Sequence, residues 1–397
     1  MSQSLPRLGV IIVNYNTREL LRRCIESVYR SAAVSADRLT VDVLVVDSAS
    51  SDESAAMVAS EFPQTALIAS SINLGYTGGN NRGLEFFGFH LGNAQRSSIN
   101  APATSNDGAS DTNSAQIHAS GATDHASSSN FPAPPDFVLL LNADAEVNGD
   151  AVWQMACFLK KTPGAGACGA HLHYGNGAFQ HGAFAFPSLA QLTIDFFPLT
   201  ALPGVQRLHN SRLNGRYSQS LWGGTAPFPV DFVLGAALMV RGEVIQQLGG
   251  LDDGYFLYCE ELDWAVRMKL AGWQSYAVPT AHVTHHEGQS SKQVRWSAFV
   301  RLWRSRLRFY RKYRGLHPVG YESAVRLIVL VGLLWRLRQV NRQFAQGKHN
   351  GLVWQEERRV PRGVGIANPR RLDHCADARP DWALDIDGSA LRQIDLP

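Results

Sequence analysis

Carboxylates, amides and imidazoles gather at five places in this sequence. Asn142 and Asp144 close the apolar run FVLLLNADAEV, and Asn14, Asn16 and Asp47 close two others, VIIVNYN and VLVVDSAS. Glu260, Glu261 and Asp263 stand together in CEELDW, and His285 and His286 in HVTHHEG. Asp144 is the strongest single candidate. A carboxylate aimed at a diphosphate needs a cation between them, and Mg²⁺ is typically held by one or two carboxylates plus substrate phosphates. The plainer role for Asp144 is to cap the following turn. Acids at a helix start are often partners of the helix dipole; alternatively, one of several crowded acids acquires a raised pKa and serves as a general base. A histidine is usually structural, but a pair after a strand can supply a metal nitrogen.

The elements that carry these residues alternate strand and helix over the first 90 positions. LGVIIVNYN, VDVLVVDSAS and TALIAS read as strands, each followed by a segment of helical spacing. Asn16 with Glu19, and Ser50 with Glu53, stand at capping-box spacing for the two helices between them. NLGYTGGNNRG reads as a turn able to bring backbone amides to a phosphate ahead of a helix. This rhythm predicts an α/β fold with a mostly parallel sheet and helices on both faces. In such a sheet ligands bind beyond the carboxyl ends of the strands, so the polar strand ends are expected on one rim. Neither GxGxxG after the first strand nor GxxxxGK[ST] occurs, which disfavours a nicotinamide-binding enzyme.

Residues 94–135 are Ser, Ala, Asn, Thr and Gly with hardly an apolar anchor, and are read as a disordered insertion in a surface loop. An interdomain linker is the rival reading, yet FVLLLNAD resumes the sheet rhythm at once. Residues 1–93 and 136–290 are then the two halves of one α/β domain. A basic helical extension follows over 291–345, and 346–397 form a loosely structured tail.

The 397 residues are 45% apolar and 18% charged, the composition of a soluble globular protein. Five cysteines without a CxxC pair argue against a disulfide framework or structural zinc and suit a reducing compartment. No secretory leader is evident, and LIVLVGLLW is far short of the ~20 residues that span a bilayer. The protein is expected in the cytoplasm, with peripheral attachment to the inner face of the cytoplasmic membrane. Residues 291–314 hold nine basic residues and no acidic one. They read either as a solvated helix packed on one face or as a helix on anionic headgroups. No nucleic-acid motif accompanies the charge, and no nucleic-acid partner is expected.

Taken together, six segments resemble the family-2 nucleotide-sugar glycosyltransferases, inverting enzymes of the GT-A fold, and within them the rhamnosyltransferase-like branch. They are VIIVNYNTRELLRRCIESV, VLVVDSASSDES, NLGYTGGNNRG, LLLNADAEV, GGLDDGYFLYCEELDWAVRMKLAGW and HVTHHEGQSS, spread over residues 7–315. The resemblance implies that Asn14, Tyr15 and Asp47 line a nucleoside pocket, with Asn73, Asn81 and Asn142 beside the nucleotide sugar. It makes Asp144, in NAD, and His285 the ligands of Mg²⁺ or Mn²⁺. EELD stands where the family has Glu-Asp-x-Asp, so Glu261 becomes the catalytic base. The family usually has Asp there, and the extra methylene of Glu leaves Glu260 as a substitute. Asp263 and Trp264 are expected at the acceptor.

The implied partners are a nucleotide-diphosphate sugar, rhamnose favoured, and a glycan or lipid-linked acceptor, with an anionic membrane surface met through 291–314. Two other classes stand beside this one. A nucleotidyltransferase would show a glycine-rich loop with a basic residue after the first strand, where this chain has NYNTREL. A non-catalytic glycan- or membrane-binding protein has no need of Asp144, Glu261 and His285 together.

Overall fold

The computed structural model describes residues 4–91, 116–118, 133–197, 205–287 and 295–346. Contact clustering divides the chain into two compact units. The first comprises Met1–Phe184, Gln219–Phe256 and Glu260–Ser290; the second comprises Ala185–Ser218, Leu257–Cys259 and Ser291–Pro397. Residues 185–218 thus cluster with the C-terminal helices and not with the 136–290 half that the sequence suggested.

The first unit is built on one mixed sheet. Its strands are β1 (Arg7–Asn14), β2 (Thr40–Ser48), β3 (Ala66–Ser70), β4 (Gln116–His118), β5 (Phe137–Asn142) and β6 (Ala145–Val147), then β7 (Ala165–His173), β8 (Phe179–Gln180), β10 (Phe228–Val230), β12 (Ala237–Arg241) and β13 (Gln274–His285). The order across the sheet is β10-β13-β7-β12-β5-β1-β2-β3-β4, with β6 on β13 and β8 on β7. Two short strands, β9 (Ala183–Phe184) and β11 (Phe232–Val233), pair separately. β5, β1, β2 and β3 run parallel, as the crossover helices require. β12 runs antiparallel between β5 and β7. The result is an α/β, Rossmann-like architecture with helices α1 (Arg18–Val34), α2 (Ser54–Glu61), α3 (Gly75–Phe86), α4 (Ala151–Lys161), α7 (Gly242–Leu248) and α8 (Glu260–Leu270) around the sheet.

The apolar runs of β1, β2 and β5 are buried almost end to end, as strands covered on both faces must be. The first helix buries Leu21, Cys24, Ile25 and Val28 at helical spacing. The glycine-rich stretch differs from its expectation. GYTGGNNRG is not a turn before a helix; it is the first part of α3. A Cβ at Gly79 would come within 2.7 Å of Val13 and one at Gly83 within 2.6 Å of Ile11. These two glycines let the helix backbone lie close against β1.

The expected disordered insertion lies outside the described residues, except that Gln116–His118 pair antiparallel with β3 and that residues 133–135 lead into β5. The tail from 347 onward also lies outside them.

The second unit contains α5 (Leu189–Phe196), α6 (Val205–His209) and the helices Arg295–Lys312 and Tyr321–Ala345. The basic helix spends its apolar side within this unit. Trp303, Phe309 and Tyr310 are buried, and Trp303 stacks on Phe196 with centroids 4.1 Å apart. Arg306 donates to Asp195 at 2.6 Å. No helix among the described residues is long and apolar enough to cross a membrane.

Candidate active site

Three strand ends meet at one level because the register aligns them. Asn14 pairs with Asp47 across β1 and β2, and Val13 with Asn142 across β1 and β5. Asn14 Nδ2 donates to Asp47 Oδ1 at 2.9 Å and to Ser50 Oγ at 3.1 Å, and the Ser50 amide donates to Asp47 Oδ2 at 3.0 Å. Thr17 Oγ1 donates to Asn14 Oδ1 at 2.7 Å. Asn14 and Asp47 are both buried, and Tyr15 beside them is half-buried. The expected capping boxes are replaced by cross-loop bonds. Ser50 receives the Asn16 amide at 2.9 Å, Asn16 Oδ1 receives the Ser51 amide at 2.7 Å, and Asp52 receives the Arg18 amide at 2.8 Å. The two loops after β1 and β2 therefore hold one another, with Asn16 and Ala49 in the left-handed region at φ 52° and 61°.

Asp144 follows β5 in the turn to β6, and β6 pairs with the end of β13 so that His285 lies across from Ala145. His285 Nε2 comes within 3.3 Å of Asp144 Oδ1, and the His286 amide donates to the Asp144 carbonyl at 2.9 Å. Gln180 Oε1 lies 3.2 Å from His285 Nδ1, and Asn142 Nδ2 lies 3.3 Å from Nε2. An amide oxygen only accepts, so with Gln180 in this orientation Nδ1 carries the ring proton and Nε2 presents its lone pair. A lone pair facing a carboxylate oxygen at that separation suits a cation bound by both. The donor set thus fits a divalent ion, with Gln180 orienting the imidazole from behind. The adjacent acidic and imidazole groups are otherwise engaged: His286 Nε2 bonds Glu146 Oε1 at 2.7 Å, and Arg23 pairs with Glu146.

The EELD carboxylates divide into two kinds. Asp263 is wholly buried and ion-paired with Arg267 Nε at 3.0 Å, while the Tyr255 hydroxyl lies 3.4 Å away. Arg267 also donates to the carbonyls of Leu248 at 2.8 Å and Gly250 at 2.6 Å, and Trp264 Nε1 donates to Gly249 at 3.1 Å. These are carbonyls that the end of α7 leaves without helical partners. Asp263 and Trp264 are therefore buried parts of a clamp on α7, and the expectation that they meet the acceptor is corrected. Asn81 is corrected in the same way. It is buried, donates to the Leu251 carbonyl at 2.8 Å, accepts the Leu251 amide at 2.9 Å and donates to Asp253 at 2.6 Å. Asn73 is exposed and accepts the Gly75 amide at 2.9 Å, which closes the turn into α3.

Glu260 and Glu261 hydrogen-bond to one another but have no ion-pair partner among the described residues. Oε2 of each is buried without a hydrogen bond. Burial pushes the Glu261 carboxyl up to about 6. Burial, and then the neighbouring charge of Glu261, push Glu260 well above the usual carboxylate range. Glu260 is thus the member that keeps a proton, and Glu261 the one that ionises first. The backbone ahead of the pair is strained, with Tyr258 at φ 72° and Cys259 at φ 67°. Such strain in residues other than glycine persists only where surrounding structure imposes it.

Two contributors were not visible in the sequence. Gln180 lay in an aromatic, glycine-rich region without a recognisable period. Tyr76 donates to the Gly235 carbonyl at 2.7 Å, and the next residue, Ala236, accepts the Asn142 amide at 3.0 Å. A Cβ at Gly235 would fall 2.7 Å from the Tyr76 hydroxyl oxygen. Burial raises the Tyr76 phenol, and Glu260 and Glu261 raise it further, so the tyrosine stands near the acid pair as well. It links that pair to the rim that bears Asn142 and Asp144.

Residues 9–87 match the model of glycosyl transferase family 2. Over 289 residues the chain is 25% identical to N-acetylglucosaminyl-diphospho-decaprenol L-rhamnosyltransferase of Mycobacterium tuberculosis, covering 72% of this chain and 77% of that protein. The chain is thus similar to family-2 glycosyltransferases of the rhamnosyltransferase type. Over 98 residues the enzyme is 36% identical to rhamnosyltransferase WbbL of Escherichia coli, covering 23% of this chain and 37% of that one. The mannosyltransferase PcManGT of Pyrobaculum calidifontis, solved with GDP-Man and Mn²⁺, aligns at TM-score 0.45 and 13% identity over 93% of this chain and 83% of its own.

Proposed function

We propose that the enzyme transfers L-rhamnose from a nucleoside-diphosphate sugar to a hydroxyl of a lipid-linked glycan, with inversion at the anomeric carbon. The observation that carries the chemistry is the Glu260–Glu261 pair, buried with an unpartnered oxygen on each residue. The choice of sugar and acceptor rests on the Mycobacterium relative, whose name specifies both.

Glu261 is the base. Its carboxylate takes the acceptor hydroxyl proton as that oxygen bonds to the anomeric carbon, and the bond from that carbon to the diphosphate oxygen breaks with its electron pair. Attack from the face opposite the nucleotide inverts the configuration. Glu260, holding its own proton, keeps the pair from carrying two adjacent buried charges. Asp144 and His285 would hold Mg²⁺ or Mn²⁺, which when bound neutralises charge on the departing diphosphate. Asn14, Tyr15 and Asp47 make the nucleoside wall, with Asn73 and Asn142 nearer the diphosphate and sugar.

The membrane side of the proposal moves from the basic helix to the next one. On Tyr321–Ala345, Leu327, Leu330, Val331, Leu334 and Trp335 are exposed at helical spacing, whereas Val325, Val329 and Leu333 face inward. A stripe of that kind with arginines near it suits an anionic lipid surface.

A panel of nucleotide sugars assayed for nucleotide release should give the highest rate with a nucleoside-diphosphate rhamnose. A glucose or mannose donor turned over faster would refute the sugar assignment. Co-flotation with anionic vesicles should be lost on replacing Leu330 and Leu334 by Glu, and equal flotation of wild type and variant would refute the lipid face.

A further inference from the structure

A second group of side chains, apart from the donor site, carries chemistry of its own. His171 and His173 stand two apart on β7, and His282 on β13 pairs directly with His171. Residues two apart on a strand share a face, so both β7 imidazoles project to one side and His282 joins them. His285, three positions beyond His282, projects to the other side. So does Gln180, which pairs with Leu172 and bonds His285. The three rings gather with centroids 4.4 Å (His171–His173), 4.9 Å (His171–His282) and 5.3 Å (His173–His282) apart. One ring nitrogen of each lies within 4.8 Å of the other two.

We propose that His171, His173 and His282 form a second metal site, for Zn²⁺ or another late first-row divalent ion, that ties β7 to β13 on the face away from Asp144 and His285. Zn–N bonds of ~2.0–2.1 Å in a tetrahedral site place ligand nitrogens ~3.4 Å apart. The separations in the structure, from 3.1 Å between His173 Nε2 and His282 Nδ1 up to the 4.8 Å limit, bracket that value. Small ring rotations therefore close the site. The protonation pattern suits it. His171 Nδ1 lies 3.3 Å from the Pro279 carbonyl, which can only accept, so Nδ1 carries the proton and Nε2 is a free donor. A carbonyl in that position is the usual orienting partner of a metal-bound imidazole. Pro279 falls in the irregularity of β13 between Val278 and His282, where the strand breaks register and turns that carbonyl toward the ring. His173 Nε2 and His282 Nδ1 face one another and need a positive centre between them, either a proton or a metal.

Phe179 and Trp222 cover His171 from the side, with centroids 5.7 and 5.2 Å away, while His282 is exposed and gives an ion its way in. Three imidazoles and an open fourth position are a zinc-type donor set. Nitrogen ligands favour Zn²⁺, Cu²⁺ and Ni²⁺ over Mg²⁺. The two sites thus differ in the ion they select as well as in the face they occupy.

The test is calorimetric titration of the untagged, chelator-treated full chain with Zn²⁺, with Co²⁺ absorption as the readout of nitrogen coordination. Wild type and an Asp144→Ala, His285→Ala variant should each bind one tight equivalent at this site. His282→Ala, at an exposed ring, should lower that affinity at least tenfold and remove the Co²⁺ band, and His173→Ala should do the same. Unchanged Zn²⁺ affinity in both histidine variants would overturn the proposal. So would a tight equivalent that disappears only in the Asp144, His285 variant, or no tight binding by wild type.

Discussion

Glu261 and Asp263 are two residues apart on one turn of α8, the first half-buried and the second wholly buried, and they do opposite things. Asp263 is paired with Arg267, whose guanidinium also fastens the end of α7. Glu261 has an oxygen with no partner and a carboxyl pushed up to about 6 by burial. A buried carboxylate with a matched cation contributes to the fold. One buried without a cation is held near the pH where it can accept and release a proton. The difference lies in the fourth residue onward: Arg267 stands one helical turn after Asp263, and no cation stands one turn after Glu261.

The comparison can be broken most directly at Glu261. Glu261→Gln should lower sugar transfer by ~10²–10⁴-fold, the usual worth of a general base, while calorimetry shows nucleotide binding unchanged. A variant with wild-type turnover would move the base elsewhere, with Glu260 next in line. Asp263→Ala should act on the fold instead. Removing one partner of a buried ion pair costs ~3–5 kcal/mol, read as a lower urea midpoint, and nucleotide binding should fall only in step with the folded fraction. If the variant unfolds like wild type, the clamp on α7 is not what Asp263 does.

The smallest effect is on pH dependence. As a base, Glu261 must be ionised, so kcat/KM should fall about tenfold per unit as pH drops below about 6. Stability should run the other way. A carboxyl whose folded pKa is raised from 4.5 to about 6 favours folding fully below pH 4.5 and loses that contribution as pH rises through about 6. Glu261→Gln should therefore flatten the stability profile in this window and be more stable than wild type at pH 7.5. A profile unchanged by the substitution would separate Glu261 from the shift.

How much of this was legible beforehand depends on the range of the interaction. The buried runs of β1, β2 and β5 and their polar ends were readable, because continuous apolar strands imply a sheet covered on both sides and local polarity marks where it stops. The capping boxes were not. Asn16 and Ser50 have the right local spacing, yet each finds its partner in the other loop, and a contact between positions 34 residues apart leaves no local trace. The glycines of α3 also misled, since composition signals a turn while the near approach of Val13 and Ile11 makes them a helix face. Gln180 was invisible because its role depends on β8 folding back onto β7 beside β13.

The sequence by itself determined the elements and the inventory of acids, amides and imidazoles at their ends, since both follow from neighbours within a few positions. Which of those groups have partners was decided by the tertiary structure alone. It fixed Asp144 opposite His285, gave Asp263 to Arg267, left one Glu261 oxygen without a partner and gathered His171, His173 and His282 on the far face of β13. The physical reason is that a charge takes its character from what replaces the water around it, and that is known only once distant segments have packed.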